Sequence, residues 1–318
     1  APQFRSMLNR RLIRIKSFQG LFGEFGQENT RPSTVVHNVQ KSMKGMGTNL
    51  LGVLSFGVEF SHFIDSEHNP SEYKYIPLEE DLKSFKLITE NPFIIQLAET
   101  EEMKKYLIKP TFDWQQERDI MFLLYKDIKK SDEYAKAMAS DLTDQDYIDF
   151  TLYVYKYLLL ESVEFEQLME DKNIYWYDEK IPILKSLEKI FVDYQDTQLV
   201  KIPALFKNEI EDLSMAEELI IKYFEHRSEL EENINEYTPG WDSDRITKID
   251  FVLMMMALLE FKYMPMIPVK VTLNEYIEIA KMYSTPKSSK FLNGTLDKIL
   301  NEWKSQDLIH KKGRGLIG

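Results

Sequence analysis

Apolar residues along this chain recur at spacings of three and four, and no stretch shows sustained period-two alternation flanked by turn dipeptides. That pattern predicts an all-α fold. A first helix is expected over residues 9–25, with Leu12, Ile15, Phe18, Phe22 and Phe25 on one face and Gly26 as its stop. RPSTVVHNV marks a fresh start after Pro32, and an apolar helix is expected over 50–64. The polar stretch DSEHNPSEYKYIPLEED, with two prolines, reads as a loop or boundary. Further helices run to about Tyr194, and a connector follows near 200–203. Helices are then expected over 215–235, 243–263, 269–283 and 286–304. The tail KKGRGLIG is expected to be disordered. The domain reading is residues 7–70, an acidic helical insertion at 71–200, a C-terminal helical domain at 201–304, and the basic tail 305–318.

With 318 residues the chain can bury a substantial core. It has no apolar run of about 18 residues and no charged-then-apolar leader, so no membrane partner is expected. The longest apolar run, FVLMMMALLEF, suits a buried helix, and Met254 to Met256 read as core. Zero cysteines exclude disulfides, thiolate zinc sites and thiol nucleophiles, which fits a cytoplasmic protein. Net charge is −12, but its distribution is uneven: residues 1–50 carry 8 basic and 2 acidic side chains, and residues 268–318 carry 9 and 5. Two basic ends around an acidic middle allow one local anion-binding surface, or only an unevenly charged solvated one.

Catalytic signatures are missing. There is no HExxH, P-loop, GxGxxG or GxSxG, and KGMGTNLLG lacks the Gly-Lys-Ser/Thr order that cradles phosphates. The histidines (His37, His62, His68, His226, His310) form no metal-ligand pattern, and the Glu79 cluster reads as a solvated helix start. No enzyme, metal or cofactor is expected. One internal similarity stands out: Trp176 and Trp241 each follow a Lys-Tyr pair by about 20 residues and precede a basic residue and Ile (Lys180, Ile181; Arg245, Ile246). Trp114 with Arg118 is a fainter third copy. Chance and a degenerate duplication both account for it.

The basic residues gather on two segments. Arg10, Arg11, Arg14 and Lys16 fill the first helix; Arg10 and Arg14 share a face, and Lys16 points elsewhere. In STPKSSKFLNGTLD, Ser284 or Thr285 can cap a helix that Pro286 opens. Leu292, Leu296, Ile299 and Leu300 make its buried stripe, while Lys287, Lys290, Phe291 and Gly294 share another face. A lysine at a helix N-terminus opposes the macrodipole by about 0.3–1 kcal/mol, a cost an anion bound there would reverse. Ser288 and Ser289 could add hydroxyl contacts. Phe291 could stack on a base, meet a partner, or simply pack between helices. Gly294 would admit a close backbone, from a partner or from a neighbouring helix.

The blocks WDSDRITKIDFVLMMMALLEF and IPVKVTLNEYIEIAKMYSTPKSSKFLNGTLDKIL resemble the NusB family of transcription antitermination factors. Their order looks like its pattern of a Leu/Ala-rich helix ending Tyr/Leu-Glu, a Pro-x-Lys-Val turn, Asn-Glu-Ala-x-Glu-x-Ala-Lys and Lys-Phe-Val-Asn-Gly-x-Leu-Asp. NRRLIRIKSFQGLF is similar, more weakly, to the family's arginine-rich first helix. The resemblance implies a pair of helical bundles, here with an additional helical insertion that is either a degenerate copy of the fold or a docking platform. It implies a non-catalytic factor that binds boxA-type single-stranded RNA of rRNA leaders jointly with NusE, a small-subunit ribosomal protein, and through it serves the RNA polymerase elongation complex. By position, Arg10, Arg11, Arg14, Lys16, Lys287, Ser288, Ser289, Lys290 and Asn293 would contact RNA. Phe22, Asp250 and Phe291 would face the NusE-like partner. The departures are the long spacing between blocks, Lys287 for a common acidic residue, Met255 for a frequent Arg, and Phe22 for Tyr. The reading requires the two basic segments to fold side by side into one electropositive patch. The alternative is a protein-interaction module on the same scaffold that binds NusE or ribosomal proteins without RNA.

Overall fold

The structure, a computed structural model, describes residues 6–27, 29–73, 76–239 and 247–317. All regular elements among them are helical. Two compact units emerge: residues 45–205, which Met7 joins, and residues 8–44 with 206 to the end.

The first unit holds most of α2 (Pro32–Glu67), then α3 (Pro70–Tyr73), α4 (Glu79–Thr89), α5 (Pro92–Glu99), α6 (Glu101–Ile108), α7 (Arg118–Ile128), α8 (Asp132–Ala139), α9 (Asp144–Leu160), α10 (Val163–Lys172) and α11 (Trp176–Thr197). The two segments expected around residue 32 and over 50–64 are one continuous helix, α2. Its later turns belong with the acidic insertion, so that unit begins at 45 rather than 71. Three of the four glycines of α2, Gly47, Gly52 and Gly57, pack closely against neighbours. A Cβ at Gly57 would lie 2.3 Å from the hydroxyl of Tyr155, which donates to the Leu54 carbonyl at 2.6 Å. The core here is aromatic. Trp114 stacks on Phe165 with centroids 5.6 Å apart, Trp176 meets Phe165 edge-on, and Phe93 stacks on Phe191. Such pairs contribute beyond the area they bury. Trp114 and Trp176 thus share one core, whereas Trp241, Arg245 and Ile246 of the suspected repeat lie outside the described residues.

The second unit comprises α1 (Arg10–Gly23), the start of α2, α12 (Glu209–Tyr237), α13 (Lys248–Tyr263), α14 (Val269–Tyr283) and α15 (Pro286–Ser305). Every residue of α13 from 252 to 261 is buried, Met254 to Met256 included, so this helix is the axis of its bundle. α1 starts on the Asn9 side chain, which accepts from Leu12 N, and stops before Gly26 at φ +86°. Arg14 reaches Glu260 while Phe25 packs on Phe251, so α1 runs antiparallel to α13. Arg11 meets Glu275 and Phe18 meets Tyr283, so it runs parallel to α14.

The tail expected to be disordered is ordered. Lys311 Nζ donates to the carbonyls of Glu260 (2.7 Å) and Met264 (3.0 Å), and Lys312 N to that of Pro265. The last turn of α13 has carbonyls without intrahelical donors, and the tail supplies them. Gly315 is needed there, since a Cβ would lie 1.9 Å from the Pro265 oxygen.

Candidate functional site

One end of the second unit gathers the C-terminus of α1, the N-terminus of α13, the C-terminus of α14 and the N-terminus of α15. Phe18 contacts both Phe22 and Tyr283, with centroids 5.7 and 5.5 Å apart. Phe25 meets Phe251 at 6.0 Å, and Lys248 lies over the Phe25 ring. α15 begins two residues after Tyr283's neighbour Ser284, capped by Thr285, whose Oγ1 accepts from Ser288 N at 3.2 Å. Lys287 and Lys290 are exposed in its first turns. Among the described residues no carboxylate lies within 4 Å of either ammonium. Phe22, at 37% exposure, and Asn293 are open to solvent at the same end, and Phe291 is half-buried. A Cβ at Gly294 would meet nothing within 4 Å, so among the described residues no helix uses it for a close crossing.

The other expected contacts are placed differently, and four are corrected. Arg14 is 2% exposed and forms a two-point ion pair with Glu260, Nε to Oε1 at 2.7 Å and Nη2 to Oε2 at 3.0 Å. Thr272 and Tyr276 hydroxyls donate to the same carboxylate at 2.7 and 2.9 Å. Burial works against the charge on Arg14, but Glu260 outweighs it and holds the guanidinium above its ordinary pKa; burial, then Glu260, pushes the Tyr276 phenol well up. Lys16 is also buried and donates to Ser42 Oγ at 2.9 Å. Ser289 is buried with its hydroxyl on the Pro286 carbonyl. Asp250 is buried as the third residue of α13, where its Oδ2 accepts from the Thr247 hydroxyl at 2.7 Å and its amide donates to Thr247 Oγ1. None of these four side chains is available to a ligand. Ser288 keeps partial exposure, its hydroxyl 3.0 Å from that of Thr285.

Arg10 and Arg11 reach the surface, but in acidic company. Arg10 lies 3.7 Å from Glu211 and 3.9 Å from Asp212; Arg11 makes a two-point bond to Glu275 at 2.8 and 3.0 Å, which raises its pKa. They sit toward the start of α1, and the lysines lie beyond its other end. Eleven residues from Arg11 to Phe22 correspond to about 16 Å at 1.5 Å per residue. Glu275 and Glu278 of α14 stand along that span, the latter paired with Lys281. The single electropositive patch expected from the sequence is therefore two clusters, one neutralised and one open.

The residues missed in the sequence are Glu260, Thr272 and Tyr276, which make Arg14 structural, and Lys248, which joins the open cluster. A glutamate closing an otherwise apolar ten-residue run was the available signal, because such a charge survives burial only when paired.

Comparison with known proteins bears on this unit above all. Residues 183–301 match the model of the NusB family, a span that takes in the later turns of α11, then α12, α13, α14 and most of α15, but not α1. The transcription antitermination protein NusB of Chloroherpeton thalassium is 43% identical over 99 residues, 31% of this chain and 47% of that protein. That of Salinibacter ruber is 42% identical over 103 residues, covering 32% and 64%, and that of Methylacidiphilum infernorum 38% over 91 residues, covering 29% and 64%. The chain thus spans between about half and under two thirds of the length of these curated relatives. The solved T. maritima NusB chain is 27% identical, covering 46% of this chain and 84% of that one, at a TM-score of 0.28 that is too loose to bear on the fold.

Proposed function

Because residues 183–301 match the NusB family model, we propose that this chain acts in transcription antitermination as a non-catalytic factor that binds single-stranded boxA-type RNA together with NusE. The observation that carries this is the open end of the second unit. Two exposed lysines stand in the first turns of α15, where the macrodipole and the Lys287 N–H favour an anion, Ser288 N being taken by the Thr285 cap. Phosphates bound there would offset the cost of lysines at that position. Lys248 adds a third cation, and Phe22 offers a ring for a base or a partner side chain. Arg10 and Arg11 are second-rank contacts in this reading, since a phosphate must compete with Glu211 and Glu275 for them.

A second reading is kept because one observation favours it. Residues 45–205 carry 31 acidic and 17 basic side chains, a surface suited to a basic protein and unfavourable to RNA. On that reading the chain binds NusE or a ribosomal protein without RNA. A gel-shift series with boxA RNA, scrambled RNA and NusE separates the two. RNA binding that is stronger for boxA and tightened by NusE supports the first; equal NusE binding with and without RNA, and no RNA shift, supports the second. Among the described residues no helix is long and apolar enough to cross a membrane.

A further inference from the structure

The first unit contains a cavity of about 120 Å³ that no RNA contact uses. Its walls are Phe112, Trp114, Phe165 and Met169, all buried. An apolar cavity of about 150 Å³ in another protein takes up benzene, so this one has the size of a single six-membered ring. It reaches the surface, because the lining residues Thr111 and Lys172 are exposed. Its polar lining is Thr48, Asn49, Thr111, Lys172 and Asn173. Asn49 donates its amide to buried Glu179 at 2.6 Å, and among the described residues its carbonyl oxygen has no hydrogen-bond partner. What remains for a ligand is that oxygen as an acceptor and the second amide hydrogen. The Lys172 ammonium lies 5.3 Å from the centre of the Phe112 ring and has no carboxylate within 4 Å among the described residues. It can donate to a carbonyl at the rim.

The surroundings discriminate between classes of ligand. Residues 161–179, which include α10, carry seven acidic side chains and one basic one, with Glu161, Glu164, Glu170 and Asp171 exposed. Next to the lining residue Asn173, Ile174 is 84% exposed, and Tyr177 is 79% exposed. A ring-sized pocket in so acidic a segment, with exposed apolar side chains in the same stretch, disfavours a phosphate chain and matches a basic peptide with an aromatic anchor.

We propose that this cavity is a docking site for the tyrosine or phenylalanine side chain of a lysine- or arginine-rich protein segment. The ring fills the pocket, a tyrosine hydroxyl donates to Asn49 Oδ1, and the flanking cations meet the acidic side chains of α10. The site is separate from the RNA reading and stands or falls without it.

The test uses the full chain and a fluorescent ten-residue peptide with a central tyrosine flanked by lysines. Its controls are the same peptide with alanine at the centre, a tyrosine peptide with glutamate flanks, and a cytidine oligonucleotide. The tyrosine–lysine peptide should bind at least tenfold tighter than either peptide control. Thr111→Trp, at an exposed position on the mouth, should remove that preference by blocking entry, and E170K/D171K should weaken binding at least tenfold with the fold intact by circular dichroism. Both variants should leave RNA binding at α15 unchanged. Equal binding of tyrosine and alanine peptides, an unaffected Thr111→Trp variant, or no binding at millimolar peptide overturns the proposal. Preferential binding of the oligonucleotide, abolished by Thr111→Trp, overturns it in favour of a nucleobase pocket.

Discussion

A single buried carboxylate determines what the first helix can do. Glu260 accepts four hydrogen bonds, two of them from Arg14, and removing one partner of such a pair leaves an uncompensated buried charge. Arg14→Ala should therefore lower stability by about 3–5 kcal/mol, read as a shift in urea midpoint. Because a lysine lacks the planar fork, Arg14→Lys should recover only part of it. If Arg14→Ala left stability intact and weakened RNA binding alone, its placement in the core would be wrong. Lys311 gives a pH-dependent test. Burial lowers its pKa to about 8, under the ordinary lysine value, against a smaller opposing effect of Glu260. From about pH 8 up to that ordinary value the unfolded chain binds more protons than the folded one, so stability contributed at this site rises with pH in that window. Below it the ammonium carries its full burial cost. Lys311→Met should flatten the rise, measured as the difference in urea midpoint between pH 7.5 and pH 10; parallel profiles for the two proteins would count against the tail's docking.

At the level of elements, α15 is the helix whose start matters most. Thr285→Ala removes the hydroxyl that caps Ser288 N and should cost about 1 kcal/mol, with a matching loss of RNA affinity if the first turn must be formed to bind phosphate. A thermal shift of a few degrees without any change in affinity would dissociate the cap from the site. This helix was legible from its residues: Thr285 and Pro286 as start signals and the stripe Leu292, Leu296, Ile299 and Leu300 all hold, each of the four being buried. α14 and α1 were nearly as clear. What did not show was α2 as one helix, because the segment joining its start near Pro32 to the apolar stretch 50–64 holds glycines, and of the four in the helix only Gly47, Gly52 and Gly57 have neighbours in the space a Cβ would need. The same limit applies to Arg14 and Lys16. Periodicity reports which face of a helix is apolar, but a charged residue on that face is indistinguishable from one beside it until its partner, 246 residues away for Arg14, is located.

The whole molecule divides its charge between two units. Residues 45–205 carry 31 acidic and 17 basic side chains, while residues 8–44 and 206–318 together carry 21 and 22. The basic ends of the sequence are thus balanced in three dimensions by Glu211, Asp212, Glu260 and Glu275, and net positive surface is confined to where no such partner stands. A nearly neutral unit can still bind RNA if its unpaired cations are grouped, and the start of α15 is where they are. The salt dependence of boxA affinity measures this directly, because each phosphate neutralised on a single strand contributes about 0.7 to the log–log slope. Lys287→Ala with Lys290→Ala should flatten that slope by about 1.4 and weaken binding, while Arg10→Ala with Arg11→Ala should change it less. An unchanged slope in the lysine variant, or a larger effect from the arginine pair, would contradict the assignment of the RNA site to the start of α15.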